Sequence, residues 1–124
     1  MLADSRLVAF ASTTDLDRAR AFYEHTLGLP VVSQDEFAVV VGAPDHTVRV
    51  TLVEHLQPQP FTILGWQVDD LSATVRQLTA SGVRFERFDF FDQDDDGVWT
   101  APSGDRVAWF KDPDGNTLSV SQSW

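Results

Sequence analysis

An apolar segment running into an Asp-Leu helix start occurs twice in this chain, 55 residues apart. Leu7-Val8-Ala9-Phe10-Ala11 leads into Thr13-Thr14-Asp15-Leu16, and Leu64-Gly65-Trp66-Gln67-Val68 leads into Asp69-Asp70-Leu71. Self-similarity at a long spacing means that one supersecondary unit has been used more than once, each copy leaving an apolar face that must be covered. The repeat therefore constrains the whole architecture before any single residue is considered.

Within each copy the pattern continues in the same order. Leu16, Ala19, Tyr23 and Leu27 recur at steps of three and four, one face of a helix, with Thr14 or Asp15 as N-cap and Gly28 as the left-handed stop. Leu71, Val75 and Leu78 repeat this, capped by Asp69 or Asp70 and stopped by Gly82. Extended segments follow at Leu29–Val32 and Val83–Arg87. Two further strands complete each unit: Glu36–Val41 and Thr47–Val53 in the first, Arg106–Lys111 and Thr117–Gln122 in the second. Asp112-Pro113-Asp114-Gly115 joins the last two as a type I turn prefers. Asp89–Gly104 reads as the longest loop. The expected fold class is α+β: two tandem βαβββ modules forming a curved, barrel-like mixed sheet with helices outside and a concave cleft inside. One domain spans 1–124, with module one over about 6–55, a linker over about 56–61 containing Gln57-Pro58-Gln59-Pro60, and module two over about 62–122.

Composition excludes several chemistries. With no cysteine there is no disulfide, thiolate metal site or cysteine nucleophile. Acidic residues outnumber Lys and Arg 19 to 9, a net charge of −10, which opposes binding to phosphate backbones, so no nucleic-acid partner is expected. The start, Met1-Leu2-Ala3-Asp4-Ser5-Arg6, lacks the basic patch and apolar run of a signal peptide. No segment approaches the ~20 apolar residues that span a bilayer, so no membrane partner is expected. These features together predict a soluble, cytoplasmic protein.

Asp15-Leu16, Ala19-Arg20-Ala21-Phe22-Tyr23 and Leu27-Gly28-Leu29 in the first half carry a family resemblance. In the second half it is carried by Val68-Asp69-Asp70-Leu71, Gly82-Val83 and Trp109-Phe110-Lys111-Asp112-Pro113-Asp114-Gly115-Asn116. Over nearly the whole chain these segments resemble the vicinal oxygen chelate superfamily, which contains glyoxalase I, extradiol dioxygenases, and fosfomycin- and bleomycin-resistance proteins. The resemblance implies the glyoxalase/bleomycin-resistance fold and a homodimer. It also implies, for the enzymes of the group, a divalent metal held by four side chains, usually His and Glu, from the first and last strands of each module. Registering on Asp15 and Asp70, those positions fall at Val8, Thr51, Ile63 and Ser119. Valine and isoleucine have no lone pair, and neutral hydroxyls are poor substitutes for imidazole and carboxylate. A two-residue slip offers Phe10, Arg49, Val53, Gly65, Thr117 and Ser121, none a usual ligand.

The expectation is therefore a metal-independent small-molecule-binding protein of the bleomycin-resistance type, with no cofactor, acting by sequestration or sensing. Two rivals stand beside it: a metal-dependent lyase, isomerase or dioxygenase of the same superfamily, and a non-catalytic interaction module. By strand alternation, Val8, Phe10, Arg49, Thr51, Ile63, Gln67, Val107, Trp109, Ser119 and Ser121 share the cleft-facing side. Leu7, Ala9, Val50, Leu52, Leu64, Trp66, Val68, Leu118 and Val120 share the helix-facing side. Phe10, Arg49, Thr51, Ile63, Gln67, Trp109, Ser119 and Ser121 form the expected ligand-binding cleft. Trp109 and Phe10 suit stacking on a planar ligand, and Arg49 suits a carboxylate or phosphate. No catalytic residue is assigned.

Neither the histidines nor the acidic run adds a site. His25, His46 and His55 lack metal-pair spacing, and the adjacent Glu54 and His55 would point to opposite faces of a strand. Asp92-Gln93-Asp94-Asp95-Asp96-Gly97 matches the opening of a calcium-binding EF-hand loop, but the twelfth position is Ser103 where a bidentate Glu belongs. It reads as a solvated acidic loop.

Overall fold

Each apolar strand that precedes an Asp-Leu helix start sits at the edge of its own mixed sheet. The computed structural model describes residues 1–124. The chain divides into two units, Met1–Pro58 and Gln59–Trp124, with the boundary inside the Gln57–Pro60 stretch.

In the first unit, β1 (Leu7–Thr13), β2 (Val31–Gln34), β3 (Ala38–Ala43) and β4 (His46–Leu52) form a sheet in the order β1-β4-β3-β2. The pairing of β1 with β4 is parallel and the others are antiparallel. Ala11, Thr13, Val39, Val41, Val48 and Val50 are buried on one face with Ala19 and Tyr23 of the helix. Asp15 caps that helix, α1 (Leu16–Arg20), its carboxylate accepting from the Arg18 N–H at 3.1 Å. After Arg20 the helix widens into a π-turn over Ala21–Thr26, closed by Leu27 N–H to Phe22 C=O. The single α-helix expected from the apolar spacing is thus two helical types in series, and Gly28 at φ +74° ends it.

The second unit repeats the order: β5 (Thr62–Gln67), α2 (Leu71–Ala80), β6 (Trp99–Thr100), β7 (Arg106–Lys111) and β8 (Thr117–Gln122), with sheet order β5-β8-β7-β6. Asp70 caps α2 through the Ala73 N–H at 3.0 Å. Its end has Gly82 at φ +101°, Gly82 N–H to Thr79 C=O and Val83 N–H to Leu78 C=O, the double closure that a left-handed glycine permits. Leu71, Val75, Ala108, Phe110, Leu118 and Val120 form this unit's core.

The expected α+β fold of two tandem modules is observed as two open four-stranded sheets, pairing stopping at β1 and β2 in one and at β5 and β6 in the other, not closed into a barrel. Three expectations about single segments need correction. Val83–Arg87 is not a strand; it touches the sheet through one bridge, Phe85 to Phe110, and through Glu86 N–H to Trp109 C=O. The outer edge of β7 is shared between that contact and β6, which lies inside the expected loop Asp89–Gly104 and pairs Trp99 with Val107. Finally, Leu7 and Leu52 lie on the helix side by register but are 68% and 42% exposed, at the first position of β1 and the last of β4.

Candidate functional site

Alternation places side chains on the sheet face away from each helix, and the ladders assign them to rows. In the first unit Phe10 pairs with Arg49, which pairs with Val40, and Ser12 pairs with Thr51. Phe10 is 63% exposed and Val8 47%, large apolar groups on an open face. Arg49 and Thr51 are half-buried. The guanidinium of Arg49 makes its influence felt on Asp35 in the β2–β3 turn. Backbone N–H groups of Phe37 and Ala38 hold that carboxyl below its ordinary range, and the Arg49 charge adds to the effect.

In the second unit one row reads Gly65, Ser119, Trp109, and the next reads Gln67, Ser121, Val107, Trp99. Small residues beside Trp109 are the physical reason for its pose. Its indole N–H donates to Thr62 Oγ1 at 3.1 Å, reaching from β7 past β8 to β5. A Cβ on Gly65 would meet Ser119 Oγ at 2.6 Å, so the Ser119 hydroxyl occupies the space beside Gly65. The structure therefore brings Gln67, Trp109, Ser119 and Ser121 onto one face. Ile63 is the exception: a bulge between Thr62 and Leu64 puts Thr62 opposite Thr117 and leaves Ile63 without a strand partner. Alternation through Gly65 would have given Ile63 that place, and the bulge gives it to Thr62.

Trp109 does not stand alone. Phe91 stacks on it at 5.3 Å between centroids and 7° between planes, and Phe88 meets it edge-on at 5.5 Å. Trp99 stacks on Phe91 at 4.4 Å and lies 6.1 Å from Trp109. Phe90 packs against Phe88 and Phe91 and is 77% exposed. Phe88, Phe91 and Trp99 are site residues that alternation missed, since they lie in or beside an irregular segment. Three phenylalanines among Phe88-Asp89-Phe90-Phe91 were the available signal, because a solvated loop has no use for that much apolar area.

The segment carrying these rings is organised by Gln93. Its amide accepts from Phe88 N–H at 2.8 Å and donates to the carbonyls of Glu86 and Gly97 at 2.9 and 2.8 Å. Asp94 Oδ1 accepts from the N–H groups of Asp96 and Val98, both at 2.9 Å. That carboxylate is committed to the backbone, and no three His, Asp or Glu side chains converge anywhere in a metal-holding cluster. A groove of about 300 Å³ lined by Asp92, Gln93, Asp94, Val98, Trp99 and Thr100 runs along the segment. His25 and His46 pair with their neighbours Glu24 and Asp45 at the surface, and His55 is exposed.

No helix is long and apolar enough to cross a membrane. None of the functionally curated proteins matches this chain in sequence. Among solved structures, the bleomycin resistance determinant encoded on transposon Tn5 is similar at 22% identity and TM-score 0.76, over 96% of this chain and 98% of that one. A bleomycin-binding protein complexed with bleomycin is similar at 23% identity and TM-score 0.74, over 98% and 99%. Lactoylglutathione lyase from Agrobacterium tumefaciens is similar at 16% identity and TM-score 0.73, over 96% and 93%. At these identities the likeness is one of fold. The sequence model of one family matches residues 7–120, from the first strand to the last, and by that match this chain belongs to the Glyoxalase/Bleomycin resistance protein/Dioxygenase superfamily.

Proposed function

We propose that this chain binds a small organic molecule on the open face of its second sheet, without a metal, for sequestration or sensing. The observation that carries the reading is the stacked group of Trp99, Trp109 and Phe91 on a sheet face bordered by the polar groups of Gln67, Ser119 and Ser121. Aromatic walls with a few polar groups are the usual makeup of a small-molecule site. The bleomycin complex of a similarly folded protein supports it by analogy, which is a statement about fold. Metal independence is supported by the chemistry of Val8, Thr51, Ser119 and Thr62, which takes the place expected of Ile63: the first has no donor atom and the others only neutral hydroxyls. In the first unit, taken by itself, Phe10, Arg49 and Thr51 are proposed as ligand-contacting side chains on the face of that sheet, with Arg49 suited to an anionic group. A cytoplasmic homodimer is part of the same proposal.

The test is native mass spectrometry of purified protein with elemental analysis, followed by titration of a co-purifying molecule. The expected result is a dimer without stoichiometric metal, and Trp109→Ala weakening binding about tenfold or more while lowering stability less. Near-stoichiometric Zn, Ni, Fe or Mn would favour the lyase-like rival and overturn metal independence. Equal affinity in the Trp109 variant would remove the stacking face from the reading.

A further inference from the structure

The rings on the second sheet are arranged as a stacking site that is already filled. Trp99 and Trp109 stand on adjacent strands, two regular positions that the ladder holds in place. Phe91 belongs to no strand, yet its ring lies 4.4 Å from one indole and 5.3 Å from the other, nearly parallel to Trp109 at 7°. Phe88 closes the side with an edge-on contact to Trp109 at 87°. A flat six-membered ring thus occupies the place where two indoles offer their faces.

What holds that ring down is separable from what holds its segment together. Inside residues 87–98 the bonds are local: Phe91 N–H to Phe88 C=O, the Gln93 amide to Phe88 and Gly97, Asp94 to Asp96 and Val98, and the Arg87 guanidinium to the carbonyls of Asp94 and Asp95. Links to the rest of the unit lie at the two bases, Glu86 N–H to Trp109 C=O and the pairing of Trp99 with Val107. One ion pair between exposed side chains, Arg76 to Asp96 at 4.0 Å, is added outside. From the middle of the segment Gln93 Nε2 also donates to the Glu86 carbonyl, and Gly97 and Val98 are buried, Gly97 beside the Phe85 side chain. The Phe91 ring itself is held by aromatic contacts alone.

We infer that Phe91 is an internal stand-in for the ligand, and that the ligand is a planar aromatic or heteroaromatic ring which takes its place on Trp109 when the Phe91 side chain swings away. The inference rests on the proposed stacking role of Trp109. Because the closed state hides the indole face, the affinity seen from outside is the intrinsic affinity reduced by the fraction of open molecules. Two aromatic contacts correspond to roughly tenfold in that fraction. Phe91 therefore sets both the affinity and the shape selected, since a non-planar group cannot recover both stacking contacts.

The test is equilibrium titration of the full chain with two flat probes of opposite charge, proflavine and 2-naphthoate, so that charge is not the variable. Phe91→Ala and Phe91→Leu are compared with the parent, the leucine variant keeping apolar volume so that folding, checked by circular dichroism, is retained. The expected result is about tenfold tighter binding of at least one probe in both variants, with the gain lost when Trp109→Ala is added. A second readout needs no substitution: ring-proton NMR signals of Phe91, shifted by the indoles above and beside them, should move toward solvent values as probe is added. Binding that is unchanged or weaker in the Phe91 variants, or Phe91 signals that stay in place while probe binds, overturns the stand-in and leaves the ligand-binding reading intact. No binding by the parent or either variant overturns both.

Discussion

Gly65, Ser119 and Trp109 share one row of the second sheet, and the sizes of the first two let the third lie where it does. A Cβ at position 65 would come within 2.6 Å of Ser119 Oγ, closer than real contacts allow. Gly65→Ala is expected to turn the Ser119 hydroxyl aside at a cost of about 1 kcal/mol or less, read as a shift in the urea midpoint with unchanged slope. A loss above about 2 kcal/mol would mean that Ser119 is held where it is. Asp35 offers a pH test. Backbone donors from Phe37 and Ala38, then the Arg49 charge, favour its ionised form in the folded state. Its folded pKa is therefore depressed, so its contribution is present above the ordinary aspartate value of about 3.9 and disappears as pH falls through the folded pKa. Carboxyl NMR titration should give a midpoint below that value in the folded protein, and Asp35→Asn should remove this part of the acid-side slope.

Helix starts, by contrast, are local devices and were readable as such. Asp15 and Asp70 occupy equivalent places in the repeat, and both carboxylates accept the backbone N–H three residues on. Asp70→Ala is expected to cost about 1 kcal/mol, because it leaves an N-terminal donor of α2 without its acceptor, and Asn in its place should restore most of that. Differential scanning calorimetry of both variants checks it; equal losses for Ala and Asn would point to charge at the helix start as the cause. Strand faces were equally legible: Phe10, Arg49 and Thr51 share one side of their sheet, and Gln67, Trp109, Ser119 and Ser121 one side of theirs. The fourth strand of the second sheet was not legible. Val83–Arg87 carries a strand-like pattern but meets β7 at one point, and the two-residue β6 is too short for any periodicity to register. Nor was the bulge that exchanges Ile63 for Thr62, since alternation assumes an unbroken ladder.

For the molecule as a whole the largest global quantity is charge, −10 over 124 residues. Self-repulsion on that scale opposes the compact state, and salt shortens its reach from about 30 Å at 0.01 M to about 8 Å at 0.15 M. Thermal stability is expected to rise over that range of sodium chloride, and a melting temperature that falls would mean that local ion pairs such as Arg20–Glu24 outweigh the repulsion. Charge, the doubled unit, the cap residues and the inward and outward faces of regular strands all come from short-range order, and such order is written residue by residue in the chain. The stack of Phe91 on Trp99 and Trp109, the Gln93-centred segment beneath it and the shared edge of β7 are of another kind. They depend on which irregular piece of backbone comes to rest on which ladder, a long-range packing outcome that no local period encodes, and there the folded chain alone supplies the answer.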